Sequence, residues 1–227
     1  MTDTKQPLAM DGARFFGEMT ATISHELKNV MAIVNENAGL LEDMVAMNRQ
    51  GAPFPAERIE KVSQSVSRQI ARADEILQIM NRFAHSADHD SEAVDVGETL
   101  QFVAKLTDRL IMMQGAEFNM PTPAMAVITT TNRFFLAYLI WHCMAAAMAR
   151  RQPGAPIRIT AEATPEGPCL VFADMDKGAK FPTSAVSSLE MEEIFGWFGA
   201  RLTIFPEIGA FRVLLPEKRR EEQPFNR

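Results

Sequence analysis

The stretch of this chain best equipped for chemistry is Phe15-Phe-Gly-Glu-Met-Thr-Ala-Thr-Ile-Ser-His-Glu-Leu-Lys-Asn29. Imidazole is nucleophilic near neutral pH when one ring nitrogen is unprotonated, and an adjacent carboxylate fixes the tautomer by accepting the proton of the other nitrogen. His25 and Glu26 supply that pair. On a helix, Asn29 falls at i+4 from His25, on the same face one turn later, with Thr22 at i−3 and Glu36 three turns on. The strip suits a phosphoryl carrier. A solvated helix face would also carry Glu26, Lys28 and Asn29, so the reading depends on what positions them.

What positions them is a pair of long helices. Residues 13–83 hold no proline or glycine inside two long segments apart from Gly17 and Gly39, and the one turn-like cluster is Asn48-Arg-Gln-Gly-Ala-Pro-Phe-Pro55. That predicts a helical hairpin. In the second arm Ile59, Val62, Val66, Gln69, Ala73, Ile76, Met80 and Phe83 recur at alternating spacings of three and four, a heptad seam with one polar slot, and Ile70, Leu77 and Ala84 widen it by one flank. The first arm carries Phe16, Met19, Ile23, Leu27, Val30, Val34, Leu41 and Met44 on one stripe, with Phe15, Met31, Ile33 and Leu40 alongside. At roughly 1.5 Å per residue the arms are each about 50 Å long and can pack antiparallel throughout. Too much of their circumference is apolar for a lone hairpin. Either a second copy covers the surplus, giving a dimeric four-helix bundle about a two-fold axis, or the rest of the chain does.

The rest of the chain reads as a second domain. Val96, Leu100, Val103, Leu106, Leu110 and Met113 keep a helical period, and residues 134–150 form a nearly all-apolar helix suited to a fully covered site. Strands are expected at residues 124–129, 157–161, 170–173, 200–205 and 210–215, the last two joined by Pro206-Glu-Ile-Gly209. The mixture predicts an α+β sandwich. Composition shifts place a flexible head at 1–12, the hairpin at 13–86, a linker at 87–94, the sandwich domain at 95–216 and a charged tail at 217–227.

Composition removes several classes. With 227 residues, 47% hydrophobic and 23% charged, the chain can bury a core and is neither fibrous nor disordered. A net charge of −6 argues against a general binder of nucleic-acid backbones. The longest apolar stretch, residues 134–149, is broken by His142 and short for a membrane helix, and residues 1–11 lack signal-peptide design, so a cytoplasmic protein is expected. Cys143 and Cys169 sit in apolar company without metal-ligand spacing and read as buried free thiols.

Ser24-His25-Glu26-Leu27-Lys28-Asn29, with aromatic residues upstream and leucines downstream, closely resembles the phosphoacceptor box of two-component sensor histidine kinases. The resemblance, over residues 13–86, implies a dimerisation and histidine phosphotransfer hairpin, with His25 as phosphoacceptor and Glu26 as its orienting carboxylate or base. It also implies that Asn29 is the amide that, in the family's phosphatase activity, orients a water toward a partner's aspartyl phosphate. Residues 95–216 resemble the family's ATP-binding domain in architecture but depart from its motifs. The family's asparagine-rich, magnesium-holding helix aligns with Leu139-Ile-Trp-His-Cys-Met-Ala-Ala-Ala-Met-Ala149, where Trp141 and Ala145 fill asparagine slots and offer no oxygen to a cation. His142 is read as packed or capped. Of the Asp-x-Gly-x-Gly turn, Asp174-Met-Asp-Lys-Gly178 keeps Asp174 and Gly178 as vestiges and puts Asp176 in the middle glycine's place. The lid and second glycine loop read as deleted between Gly178 and Glu193-Ile-Phe-Gly-Trp-Phe-Gly199. The resemblance therefore implies a degenerate kinase-type domain, no ATP, metal or other cofactor, and a protein comparable to dimeric histidine phosphotransferases. Its expected partners are a response-regulator receiver domain and a second copy. A receiver phosphatase and a non-catalytic receiver-docking pseudokinase are the alternatives, with an active ATP-dependent kinase disfavoured.

Overall fold

A computed structural model describes residues 5–53, 56–177 and 189–218. The chain divides into two compact bodies: Glu18–Arg82, and Met1–Gly17 together with Phe83–Arg227.

The first body is the hairpin. Its arms are α1 (Lys5–Arg49) and α2 (Ala56–Ala84), and α1 is continuous across the boundary between the bodies. Met19, Ile23, Val30 and Met44 of α1 and Val62, Ala73 and Ile76 of α2 are buried, so the heptad seams face one another as their spacing requires. A polar contact away from the Gln69 slot also crosses between the arms. Asn37 is buried in the seam, and its Nδ2 donates to the Ile33 carbonyl at 2.7 Å and to Ser65 Oγ at 3.2 Å. α1 ends in a turn in which Ala52 N–H donates to the Met47 carbonyl and Gly51 takes φ +93°, a left-handed value that favours glycine. Ile33 and Leu40, and on the other arm Ile70 and Leu77, remain exposed at intervals of seven, together with Met31. These are the flanks that the periodicity left over.

The second body is an α/β sandwich. A two-stranded antiparallel pair, β1 (Glu92–Asp95) with β3 (Ile128–Thr131), accompanies a five-stranded mixed sheet. Its strands are β2 (Phe118–Asn119), β4 (Ile157–Thr164), β5 (Gly167–Ala173), β6 (Arg201–Phe205) and β7 (Ala210–Leu214), in the order β2-β4-β5-β7-β6. Only the β2–β4 pair is parallel among these. The helices are α3 (Val96–Leu106), α4 (Asp108–Met113), α5 (Arg133–Met148) and α6 (Leu189–Phe198). α5 packs against both α3 and α6, which is why it is apolar nearly all round: Leu136, Ala137, Leu139, Ile140 and Met144 have no exposed surface. Asn132 and Asp95 cap α5 and α3, their side chains accepting from the backbone N–H of Phe135 and Glu98.

Several expectations need correcting. Phe16 was placed on the inner stripe of α1 and Phe15 beside it; the structure exposes Phe16 and buries Phe15 at 3%. Phe15 belongs to an aromatic cluster with Phe83, Phe134 and Tyr138, ring centroids 5.2–5.6 Å from its own, whereas Phe16 stacks on Phe83 from outside. The helical period running from Val96 to Met113 covers two helices, because Thr107 turns its hydroxyl back to the Val103 carbonyl and leaves helical geometry. Met113 is consequently exposed. Helix α1 begins at Lys5, inside the stretch read as a head, and Asp11 and Gly12 are buried. β1 lies in the stretch read as a linker, and Glu217 and Lys218 of the tail run beside β3, with Thr130 N–H donating to the Glu217 carbonyl at 2.8 Å.

Candidate functional site

The histidine box lies wholly on α1 within the hairpin body. Ile23 and Val30 are buried in the seam, and a residue two positions past Ile23 is turned about 200° from it, so His25 faces outward. His25, Lys28 and Asn29 are all exposed, and Glu26 and Leu27 are half-buried. Thr22, expected on the same strip, uses its hydroxyl locally, donating to the Glu18 carbonyl at 2.9 Å. Glu36 is exposed farther along the helix.

Glu26 reaches the other arm. Its Oε2 accepts from Arg72 Nη2 of α2 at 2.8 Å, a charge-assisted bond in which the carboxylate is the more sheltered partner, 21% exposed against 53%. Arg72 is the residue that sequence reasoning missed. The signal was the hairpin register: once α1 and α2 are folded back on the turn after Met47, a cation on the outer face of α2 comes opposite the box.

Asp174 and the α5 residues singled out from the sequence belong to the other body. Asp174 ends β5 in the left-handed region, φ +64°, a conformation that aspartate tolerates better than most residues. Pairing of β4 with β5 sets Arg158 opposite Ala173, and the guanidinium meets the Asp174 carboxylate at 3.3 and 3.4 Å. The next residue, Met175, is fully buried; its N–H donates to the Gly209 carbonyl and its carbonyl accepts from Gln152 Nε2 at 2.9 Å. Gly209 has φ +63°, and a side chain there would collide with the Met175 carbonyl oxygen. Asp176 N–H donates to the Arg150 carbonyl at 2.9 Å, so the turn is fastened to the residues just past α5 as well. Gly178 lies outside the described residues, as does most of the segment where the lid reads as deleted.

Within α5, Trp141 is 7% exposed and Ala145 half-buried. Neither can offer an oxygen to a magnesium ion, Asp174 is engaged by Arg158, and Met175 fills buried space beside it. These residues do not fit a magnesium–triphosphate group. His142 packs edge-on against Tyr138, ring centroids 4.4 Å apart; burial lowers its pKa, with the Asp11 carboxylate pulling the other way. Cys143 and Cys169 are free and buried, and burial raises the pKa of both thiols. Among the described residues no helix is long and apolar enough to cross a membrane.

The solved structures that this chain is similar to are histidine kinases or parts of them. No family model and no curated protein matches the sequence. The fold is similar to Acinetobacter baumannii histidine kinase AdeS, at 11% identity and TM-score 0.45, over 85% of this chain and 98% of that one. It is similar to the catalytic domain of histidine kinase ThkA at 12% identity and TM-score 0.47, over 58% of this chain and all of that domain. The ATP-binding domain of PrrB from Mycobacterium tuberculosis is a third, at 20% identity and TM-score 0.43, over 56% of this chain and 98% of that one.

Proposed function

We propose that this protein is a two-component phosphorelay carrier, exchanging a phosphoryl group between His25 and the aspartate of a response-regulator receiver without using ATP. The observation that carries the reading is the outward His25 in an otherwise family-like box, with Glu26 beside it held by Arg72. A receiver docked on that face would bring its own aspartate and the metal its pocket holds, so this chain has no need of a triphosphate site. Trp141, Ala145 and the Asp174–Arg158 pair support that division of labour. A two-fold homodimer belongs to the reading, because Ile33, Leu40, Ile70 and Leu77 present an apolar stripe on each arm that a second hairpin would cover. So does a cytoplasmic setting.

The test is to incubate the protein with phosphorylated receiver domains and follow acid-labile phosphate. Transfer of label to the wild-type chain, and none to His25→Ala, is expected; label on the variant would overturn the reading. The exposed Asn29, one turn from His25, favours a second activity, hydrolysis of the receiver's aspartyl phosphate. In that case Asn29→Ala slows net release of inorganic phosphate while leaving transfer intact, and equal release from both proteins would remove it.

A further inference from the structure

Glu26 and Arg72 make a contact that the hairpin does not need. A half-exposed ion pair adds little to stability, and the seam of Ile23, Val30, Ala73 and Ile76 already joins the two arms at this level. Yet the pair fixes a group that chemistry beside His25 would need fixed. A glutamate on an exposed helix face distributes itself over many rotamers, and holding it in one costs entropy at each encounter unless something has already ordered it.

Resting on the phosphoryl-carrier reading, we propose that Arg72 is a positioning residue for transfer at His25, holding Glu26 from the opposite arm so that its carboxylate is in place beside the acceptor ring. In the transfer step the lone pair of the unprotonated ring nitrogen forms the N–P bond as the P–O bond to the receiver's aspartate breaks, and that carboxylate leaves with the bonding pair. The second ring nitrogen keeps its proton, and the ring becomes cationic. Glu26 meets that proton with a negative charge, offsetting the charge that develops. Arg72 binds Glu26 through Oε2. The guanidinium thus acts through Glu26 and is not required to touch the phosphoryl group. The site is built from both arms, although every residue of the box lies on one.

The experiment uses the full chain and a ³²P-labelled receiver domain selected from a panel for the fastest transfer to the wild-type protein. Single-turnover rates are measured across receiver concentrations. Arg72→Ala is expected to lower the maximal rate by about tenfold or more, since a mispositioned group near the reacting atoms is costly, with the half-saturating receiver concentration unchanged within about twofold. Arg72→Lys should recover most of the loss. The exchange Glu26→Arg with Arg72→Glu remakes the ion pair but moves the carboxylate to α2, so it should keep the wild-type melting temperature and not restore the rate. Arg72→Gln replaces the alanine variant if the latter lowers the melting temperature. The inference fails if the maximal rate stays within twofold of wild type, if the loss lies in half-saturation alone, or if the exchanged pair transfers normally. His25→Ala, run alongside, keeps the two readings apart: label on it removes the carrier function itself, whereas a silent His25→Ala with a normal Arg72→Ala removes only the role of Arg72.

Discussion

The two regions that resemble a histidine kinase treat their chemistry-bearing positions in opposite ways. On the hairpin, His25, Lys28 and Asn29 are exposed, while Ile23 and Val30 do the packing. In the sandwich domain the positions singled out from the sequence are packed or ion-paired. Trp141 is buried, Met175 is fully buried, and Asp174 is paired with a neighbouring strand's arginine. The hairpin's polar strip is open to a partner, whereas Trp141 and Met175 are closed off by packing. The first prediction turns this contrast into a paired measurement. His25→Ala is expected to take receiver-dependent labelling below detection while shifting stability by no more than about 0.5 kcal/mol, the usual scale for an exposed position. Asp174→Ala should leave labelling within about twofold. Loss of transfer in Asp174→Ala with an unchanged melting temperature would break the contrast from the sandwich side.

The second prediction separates two apolar surfaces of the same helix. Ile76 is 9% exposed and Leu77, its neighbour, 39%. Ile76→Asp places an unpaired charge in the seam and should cost about 3 to 5 kcal/mol, enough to melt the hairpin. Leu77→Glu adds a charge to the exposed stripe and should leave helicity intact while yielding a monomer where the wild type forms the proposed homodimer, read by circular dichroism and light scattering. A helical monomer from wild type at micromolar concentration would show that the stripe is not a dimer face.

The third concerns nucleotide. Calorimetric titration with Mg-ATP is expected to show no binding, since Trp141 and Ala145 offer no oxygen to a metal ion and Asp174 is paired with Arg158. Restoring one of them should not help. Trp141→Asn removes a large buried side chain and introduces an amide among apolar neighbours, at a cost of about 3 kcal/mol or more. It is expected to lower the unfolding midpoint in urea without creating affinity. Micromolar binding to the wild-type chain would return the protein to the kinase class.

The hairpin and α5 were legible because their signals are long. Seven turns of heptad spacing on α2 and a long apolar run from Phe134, interrupted only by His142, leave little freedom in either assignment. The sandwich's small elements were not. β2 is two residues long and β1 four, and β1 lies in a polar stretch, Glu92-Ala-Val-Asp95, because only Val94 is buried. Its identity comes from pairing with β3, which no local pattern encodes. The histidine box was visible as spacing on one helix. Arg72 was invisible for the opposite reason: 46 positions separate it from Glu26, and only the packed register brings them together.

The smallest expected effect lies where α1 enters the sandwich body. His142 is largely buried against Tyr138, and loss of hydration lowers its pKa from the ordinary 6.5; the Asp11 carboxylate, the smaller influence, raises it. In the unfolded chain the ring takes its proton near pH 6.5, but in the folded chain only at lower pH. Between those two values the unfolded state binds more protons, so stability falls as the pH drops through that window and levels off below the folded value; above about 6.5 the residue contributes no slope. Urea unfolding at a series of pH values should show this shallow acid loss in the wild type and a smaller one in His142→Gln. Asp11→Asn should steepen it, because the influence that favours the imidazolium is gone while the burial remains. A wild-type protein whose stability rises as the pH falls through the His142 titration would reverse the order of the two influences, and would mean that His142 is held in its charged form by Asp11.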